Sequence, residues 1–203
     1  MPEPDPRRFI CLGGSFDPVH LGHLAVARAA AEAAGYEGVR LIVANDSPGK
    51  RAKADAEHRI AMCRLAVADD PEFLVDDREL HRPGPSYTAD TAAALRDELG
   101  TVPAWLIGTD LLPTLPRWHR ADELLADPAT LARFVVVTRG GHELDLGTLP
   151  SATRHVAATC VTVPQWGVSS TLVRERLASS KSIRYLVPEP VRHYIQEHGL
   201  YAA

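Results

Sequence analysis

The apolar stretches of this chain do not alternate with polar residues. FICL (9–12), VRLIVA (39–44), AWLI (104–107) and FVVV (134–137) are short and almost continuously hydrophobic, with Arg40 the only interruption. A strand covered on one face alternates apolar and polar residues, whereas a continuous run marks a strand buried on both faces. Between these runs lie stretches of helical composition, among them AVARAAAEAAG, AEHRIAMCRLAVAD and SYTADTAAALRDEL. Doubly buried strands separated by helices imply an α/β fold, doubly wound, with a mostly parallel sheet and helices on both faces. Ligands of such sheets sit at the C-terminal ends of the strands. The loops after Leu12, Asn45, Gly108 and Val163 are therefore the places to look for a site.

The elements read as follows. Strands are expected at 8–14, stopping at the glycines, and at 39–45, 73–80, 104–108, 133–139 and 155–163. Helices are expected at 22–34, 56–69, 86–99, 169–179 and 188–200. Gly35 suits a left-handed C-cap, Thr88 an N-cap and Pro188 a helix start. Residues 140–154 read as polar loop. No internal repeat or linker divides the chain, so residues 1–203 are taken as one domain, with 1–7 as a polar, Pro-rich, flexible tail.

At 203 residues and 45% hydrophobic content, such a domain can bury a core without disulfides or a structural metal. The formal net charge of −4 provides no global basic field for nucleic acid or a membrane surface. Cys11, Cys63 and Cys160 are far apart and form no C-x-x-C pair, which reads as three small core residues in a reducing, cytoplasmic setting. No apolar run is long enough for a signal peptide or membrane span. Oligomeric state is left open.

The first of the four loops carries the chemistry. In GGSFDPVHLGH (13–23), two glycines follow the strand, Asp17-Pro18 makes a turn, and His20 and His23 are spaced to share a face of the helix that begins there. Gly13 and Gly14 allow close backbone approach, and Gly22 removes a side chain between the histidines. A helix N-terminus offers unpaired N–H groups and a positive dipole end, which together bind anions. Histidines satisfied in a core, or a zinc pair, are the competing readings. Zinc needs further ligands that the sequence does not supply nearby. Neither G-x-x-x-x-G-K-[ST] nor G-x-G-x-x-G occurs, so this phosphate loop is of another type.

GGSFDPVHLGH resembles the H-x-G-H signature of the nucleotidyltransferase superfamily, and VSSTLVR (168–174) resembles its second signature, I-S-S-T-x-x-R. Taken alone, SST is an ordinary helix cap; the pair in this order is specific. GPSYTADTAAAL (84–95), GTDLLPTLPRWHRADELL (108–125) and SIRYLVPEPVRHYIQEHGLY (182–201) further resemble the bacterial nicotinate-nucleotide adenylyltransferase family, so that the similarity spans nearly the whole chain. The resemblance implies a Rossmann-like nucleotidyltransferase fold and adenylyl transfer from ATP to nicotinate mononucleotide, giving nicotinate adenine dinucleotide and pyrophosphate.

It also implies the site. His20, His23 and Arg174 serve the reaction. Gly13, Gly14, Ser15, Phe16, Gly22, Gly108, Asp110, Ser169, Ser170 and Thr171 bind ATP. Trp118 stacks on the pyridine ring, backbone N–H groups of Thr88 and His119 receive its carboxylate, and Lys50 lies near the acceptor phosphate. The loop around Lys50 departs from the family pattern, and Arg51 and Lys53 compete for that role. Ser15 keeps the hydroxyl of the commoner Thr, and Thr109 replaces a usual Ala. The chemistry suits these residue types: a phosphate monoester is already anionic near neutral pH, so no general base is required, and catalysis becomes alignment and charge stabilisation. Mg²⁺ is expected with ATP, held by phosphates and water rather than by a dedicated cage. Phosphopantetheine adenylyltransferase and a regulator without activity are the alternatives.

Overall fold

The computed structural model describes residues 5–49, 51–126, 129–139 and 145–202. Six strands form a single sheet: β1 (Phe9–Gly14), β2 (Gly38–Val43), β3 (Phe73–Asp76), β4 (Ala104–Gly108), β5 (Arg133–Arg139) and β6 (Cys160–Val163). Their order is β3-β2-β1-β4-β5-β6, and every pairing is parallel. The order reverses between β1 and β4, the point at which a doubly wound sheet opens a crevice at its strand ends.

The helices are α1 (Leu21–Ala33), α2 (Ala56–Ala66), α3 (Thr88–Leu99), α4 (Ala121–Leu124), α5 (Arg154–Ala157), α6 (Ser170–Ala178) and α7 (Glu189–Glu197). The continuous apolar strands are explained by two cores, one per face. Ile10, Leu41, Leu106 and Val135 pack with α1, α2, α6 and α7. Cys11, Ile42, Trp105, Ile107 and Phe134 pack with α3, α4, α5 and the 3-10 segment Thr109–Arg117. Ala27, Ala30 and Ala31 are the buried stripe of α1, and their small side chains let that helix lie close to the sheet. Gly35, at φ +75°, follows the C-cap of α1 in the left-handed conformation expected of it.

Several boundaries differ from the expectation. β1 begins at Phe9 rather than at residue 8 and ends at the glycines as expected, with Gly13 and Gly14 paired to Ile42 and Val43. α2 ends at Ala66. β3 ends at Asp76, whose carboxylate turns the chain by accepting the Arg78 N–H at 3.0 Å, and a 3-10 turn follows at Arg78–His81. Only Cys160–Val163 of the stretch 155–163 is strand. The preceding residues form α5, where Val156 and Ala157 are buried and the Thr159 hydroxyl closes the turn on the Val156 carbonyl at 2.8 Å. Thr88 is the first helical residue rather than the N-cap; Tyr87 holds that position. Pro6–Arg8, at the edge of the segment read as a tail, is a 3-10 turn. Within 140–154, the turns Leu146–Thr148 and Ser151–Thr153 are also 3-10.

Cys11, Cys63 and Cys160 are free thiols. Burial pushes the Cys11 thiol up to about 12 and raises Cys63 further, which keeps both protonated and inert. Among the described residues, no helix is long and apolar enough to cross a membrane.

Candidate active site

The loop between β1 and α1 fixes both histidines. His20 is the N-cap of α1, and its Nδ1 accepts the His23 backbone N–H at 3.2 Å. His23 Nδ1 reciprocally accepts the His20 N–H at 3.3 Å. The two rings stack with centroids 3.6 Å apart. A neutral imidazole whose Nδ1 accepts carries its proton on Nε2. Burial lowers the His20 pKa to about 4, and burial followed by the neighbouring His20 lowers His23 well below its usual range. Near pH 7 both rings are neutral, each with an Nε2–H to offer. Gly22 is required by this packing: a Cβ there would lie 3.1 Å from His20 Nδ1 and 3.4 Å from the Val168 carbonyl oxygen. Phe16 is buried at φ +47°, a left-handed conformation that costs a bulky residue about 1–3 kcal/mol, and its ring meets His23 edge-on.

The second signature is bonded directly to this loop. Ser169 is the N-cap of α6 and accepts the Leu172 N–H at 3.1 Å. The Ser170 hydroxyl donates to the Pro18 carbonyl at 2.8 Å. Arg174 donates through Nη1 to the Asp17 main-chain oxygen at 2.6 Å and through Nη2 to the Thr171 hydroxyl at 3.2 Å.

Two cavities open at the strand ends. One, of about 590 Å³, is lined by His20, Gly22, His23, Gly108, Asp110, Ser169 and Ser170, with Leu12, Val26, Val137, Val168 and Trp166 as apolar walls. The other, of about 450 Å³, is lined by Gly13, Gly14, Ser15, Thr88, Trp105, Trp118 and His119, with Glu79, Tyr87 and Thr114 among its polar groups. Leu106 and Ile107 of β4 belong to both. Gly13, Gly14 and Ser15, expected on ATP, thus lie on the Trp118 side. Phe16, Thr171 and Arg174 line neither cavity; the first packs beneath the histidines and the other two sit behind the Asp17 turn. Lys50 lies outside the described residues. A smaller cavity of about 230 Å³ adjoins the second, shares Ser15 and Ser47 with it, and is lined by Arg51 and Arg59.

On the Trp118 side the geometry suits a flat acid. Trp118 is half-buried, with its indole N–H on the Thr114 hydroxyl at 3.0 Å. The His119 ring stacks on Tyr87 at 4.3 Å, which holds the loop carrying His119 against the start of α3. The Thr88 N–H, at the first position of that helix, has no partner within it. On the histidine side, Asp110 folds back over Gly108, where a Cβ would meet its carboxylate oxygen at 2.3 Å.

Sequence reasoning passed over Asp17, Arg59, Glu79 and Trp166 as site residues. Asp17 stands inside the first signature, which was the available signal. Arg59 is 2% exposed and binds the carbonyls of Ser15 (2.7 Å), Ala44 (2.6 Å), Asn45 (3.1 Å) and Ala54 (3.1 Å). It ties the β1–α1 loop to both ends of the β2–α2 loop, and nothing in the sequence of α2 marks it.

Fold and site together define a nucleotide-binding domain of the nucleotidyltransferase class. The model of the cytidylyltransferase-like family matches residues 11–176. The chain is 44% identical over 195 residues to a probable nicotinate-nucleotide adenylyltransferase of Roseiflexus sp. (strain RS-1), covering 94% of this chain and 96% of that protein. It is 43% identical to another of Thermus thermophilus, covering 93% and 96% respectively. The chain belongs to the cytidylyltransferase-like family, among its nicotinate-nucleotide adenylyltransferases. The fold is also that of a solved Plasmodium falciparum nicotinic acid mononucleotide adenylyltransferase complexed with NaAD. TM-score is 0.73 at 18% identity, with 95% of this chain and 96% of that one covered.

Proposed function

We propose that the two cavities hold the two substrates of adenylyl transfer, ATP on the His20/His23 side and nicotinate mononucleotide on the Trp118 side. The observation that carries this reading is the shared wall: Leu106 and Ile107 line both cavities, so ligands filling them meet over the end of β4. An oxygen of the acceptor phosphate attacks the α-phosphorus. A new P–O bond forms, the bond from the α-phosphorus to the bridging oxygen breaks, and pyrophosphate leaves with that electron pair. The nucleophile is already ionised, and no covalent enzyme intermediate is needed.

His20 and His23 would donate their Nε2–H groups to the phosphates at no cost in protonation, and neutral donors do not trap the departing anion as fixed cations would. The start of α6 would add the Ser169 hydroxyl and the helix's own N–H groups, that of Ser170 among them, while the Ser170 hydroxyl stays on the Pro18 carbonyl. Gly108 and Asp110 would meet the nucleotide sugar. Opposite, Trp118 would stack on the pyridine while the Thr88 and His119 N–H groups receive the carboxylate. Arg51 lines the adjoining cavity and Lys53 does not, which favours Arg51 for the acceptor phosphate.

Mg²⁺ would enter with the triphosphate as part of the substrate. The described residues include no cluster of three or more His, Cys, Asp or Glu able to cage an ion. A cytoplasmic reaction suits these substrates. The test is pyrophosphate release from ATP with a panel of acceptors. Release with nicotinate mononucleotide above all others is expected; preference for phosphopantetheine, or no release with any acceptor, would overturn the reading.

A further inference from the structure

The Asp17 side chain is bonded to several separate segments, yet it touches neither cavity. It is 5% exposed. Its carboxylate accepts the Lys53 N–H at 2.7 Å, the Ala54 N–H at 3.1 Å and the Tyr201 hydroxyl at 2.7 Å. Arg174 Nη1 lies 3.7 Å from the same carboxylate and donates to the Asp17 main-chain oxygen at 2.6 Å. The adjacent Pro18 carbonyl receives the Ser170 hydroxyl. One turn of the first signature thus binds the second signature twice and also binds the loop at 53–54 and Tyr201. Burial, followed by the bond to Asp17, raises the Tyr201 pKa, so its O–H stays a donor.

We propose that Asp17 is a positioning residue that fixes the Arg174 guanidinium in the orientation from which it meets the triphosphate, with Tyr201 holding the Asp17 carboxylate from the far side. A buried carboxylate needs donors on every side, and here they come from separate segments, so its position is over-determined. Arginine has many rotamers, and ordering it before ATP arrives removes that cost from binding. Arg174 commits one nitrogen to Asp17 and one to Thr171, which leaves the remaining N–H groups of the fork available. The inference rests on the proposed placement of ATP and on Arg174, which does not itself line that cavity, extending its free N–H groups to the triphosphate from the helix whose start lines it through Ser169 and Ser170.

The experiment is a double-mutant cycle on the full chain, read as ATP affinity by calorimetry without acceptor, with thermal unfolding recorded in parallel. Asp17→Asn keeps the size but removes the charge and sets an NH₂ against one of the donors. It is expected to weaken ATP binding about tenfold, because it removes the charge 3.7 Å from Arg174 and disturbs the bonds to a charged carboxylate that hold the turn whose main-chain oxygen Arg174 binds. In the Arg174→Ala background the same change should cost nothing further, because a residue acting through Arg174 has nothing left to act on. Tyr201→Phe should repeat the pattern at about threefold, and decides the matter alone if Asp17→Asn does not fold. Losses that multiply in the double variants would show general structural support, and unchanged affinity in the folded single variants would show no role; either overturns the proposal. Because the readout is ATP binding, a different acceptor would sink the proposed function and leave the outcome of this cycle unaffected.

Discussion

The two cavities flanking β4 are built in opposite ways. The histidine side is made from two short motifs bonded to each other: His20 to His23, Ser170 to Pro18 and Arg174 to Asp17. The Trp118 side draws single residues from the ends of β1 and β2, the 3-10 turn after β3, the start of α3 and the segment after β4. The first is a small set of interlocked donors, so a single substitution disturbs several groups at once. The second is a collection of separate contacts, each of which should be removable by itself.

The sharpest way to break this contrast is at the histidines. His20→Asn retains a helix-capping acceptor and loses the Nε2–H, so the fold should survive while kcat falls by about 10²–10³-fold, the cost of an oxyanion-type donor. His23→Ala should lower kcat to a similar extent. His20→Ala should in addition lose about 1 kcal/mol of stability with the cap. Single-turnover rates and thermal unfolding of the three variants separate the two effects, and near-normal rates would remove the histidines from the phosphates.

Acid should stress the histidine side alone. With a folded-state pKa near 4, His20 stays neutral while the unfolded chain takes up its proton from about pH 6.5 downward. Stability contributed by this group is therefore full above about pH 6.5 and drains as pH falls towards 4, by up to roughly 3 kcal/mol. Denaturant unfolding of the parent and His20→Asn between pH 4 and 7.5 should give a steeper acid decline in the parent; parallel curves would contradict it.

On the other side, changes should be smaller and confined to the acceptor. Two fixed N–H donors suit a carboxylate, whereas a carboxamide turns its own NH₂ towards one of them. The acid should be preferred at least about tenfold in kcat/KM, given the cost of a buried unpaired group. Trp118→Ala should raise KM for nicotinate mononucleotide by roughly tenfold, a stacking contribution, and leave the ATP KM unchanged. Equal efficiency on acid and amide, or a defect towards ATP, would dissolve the distinction between the cavities. The smallest effect is expected at Trp166, which is 44% exposed at the rim of the ATP side. Its emission should quench on addition of ATP in a variant carrying both Trp105→Phe and Trp118→Phe, and Trp166→Ala should raise the ATP KM only about threefold.

The same contrast explains what could be read from the residues. Sheet class and the phosphate loop were visible because doubly buried strands and a Gly-rich strand-to-helix turn have local signatures. The roles of Thr88, Trp118 and His119 came only through resemblance, since no spacing brings 88 next to 119; the stacking of Tyr87 on His119 does that in three dimensions. Arg59 looked like one more polar residue on a helix, because its four carbonyl partners lie on segments that meet only after folding. The stretch 155–157 read as strand because His-Val-Ala-Ala is compatible with either period; burial of Val156 and Ala157 beside the sheet favoured a helical turn.

The shared wall has a mechanical consequence. Along β4, Trp105 belongs only to the acceptor cavity and Gly108 only to the ATP cavity, with Leu106 and Ile107 common to both. The step from one substrate's floor to the other's is three residues of extended chain, about 10 Å at ~3.3 Å each. That chain is paired along its whole length to β5, and to β1 at Trp105. On the proposed assignment of the cavities, the spacing of the two substrates follows from bond lengths in a central strand, because an extended backbone scarcely stretches. Thermal motion can swing the loops above this floor, but the ruler beneath them keeps its length.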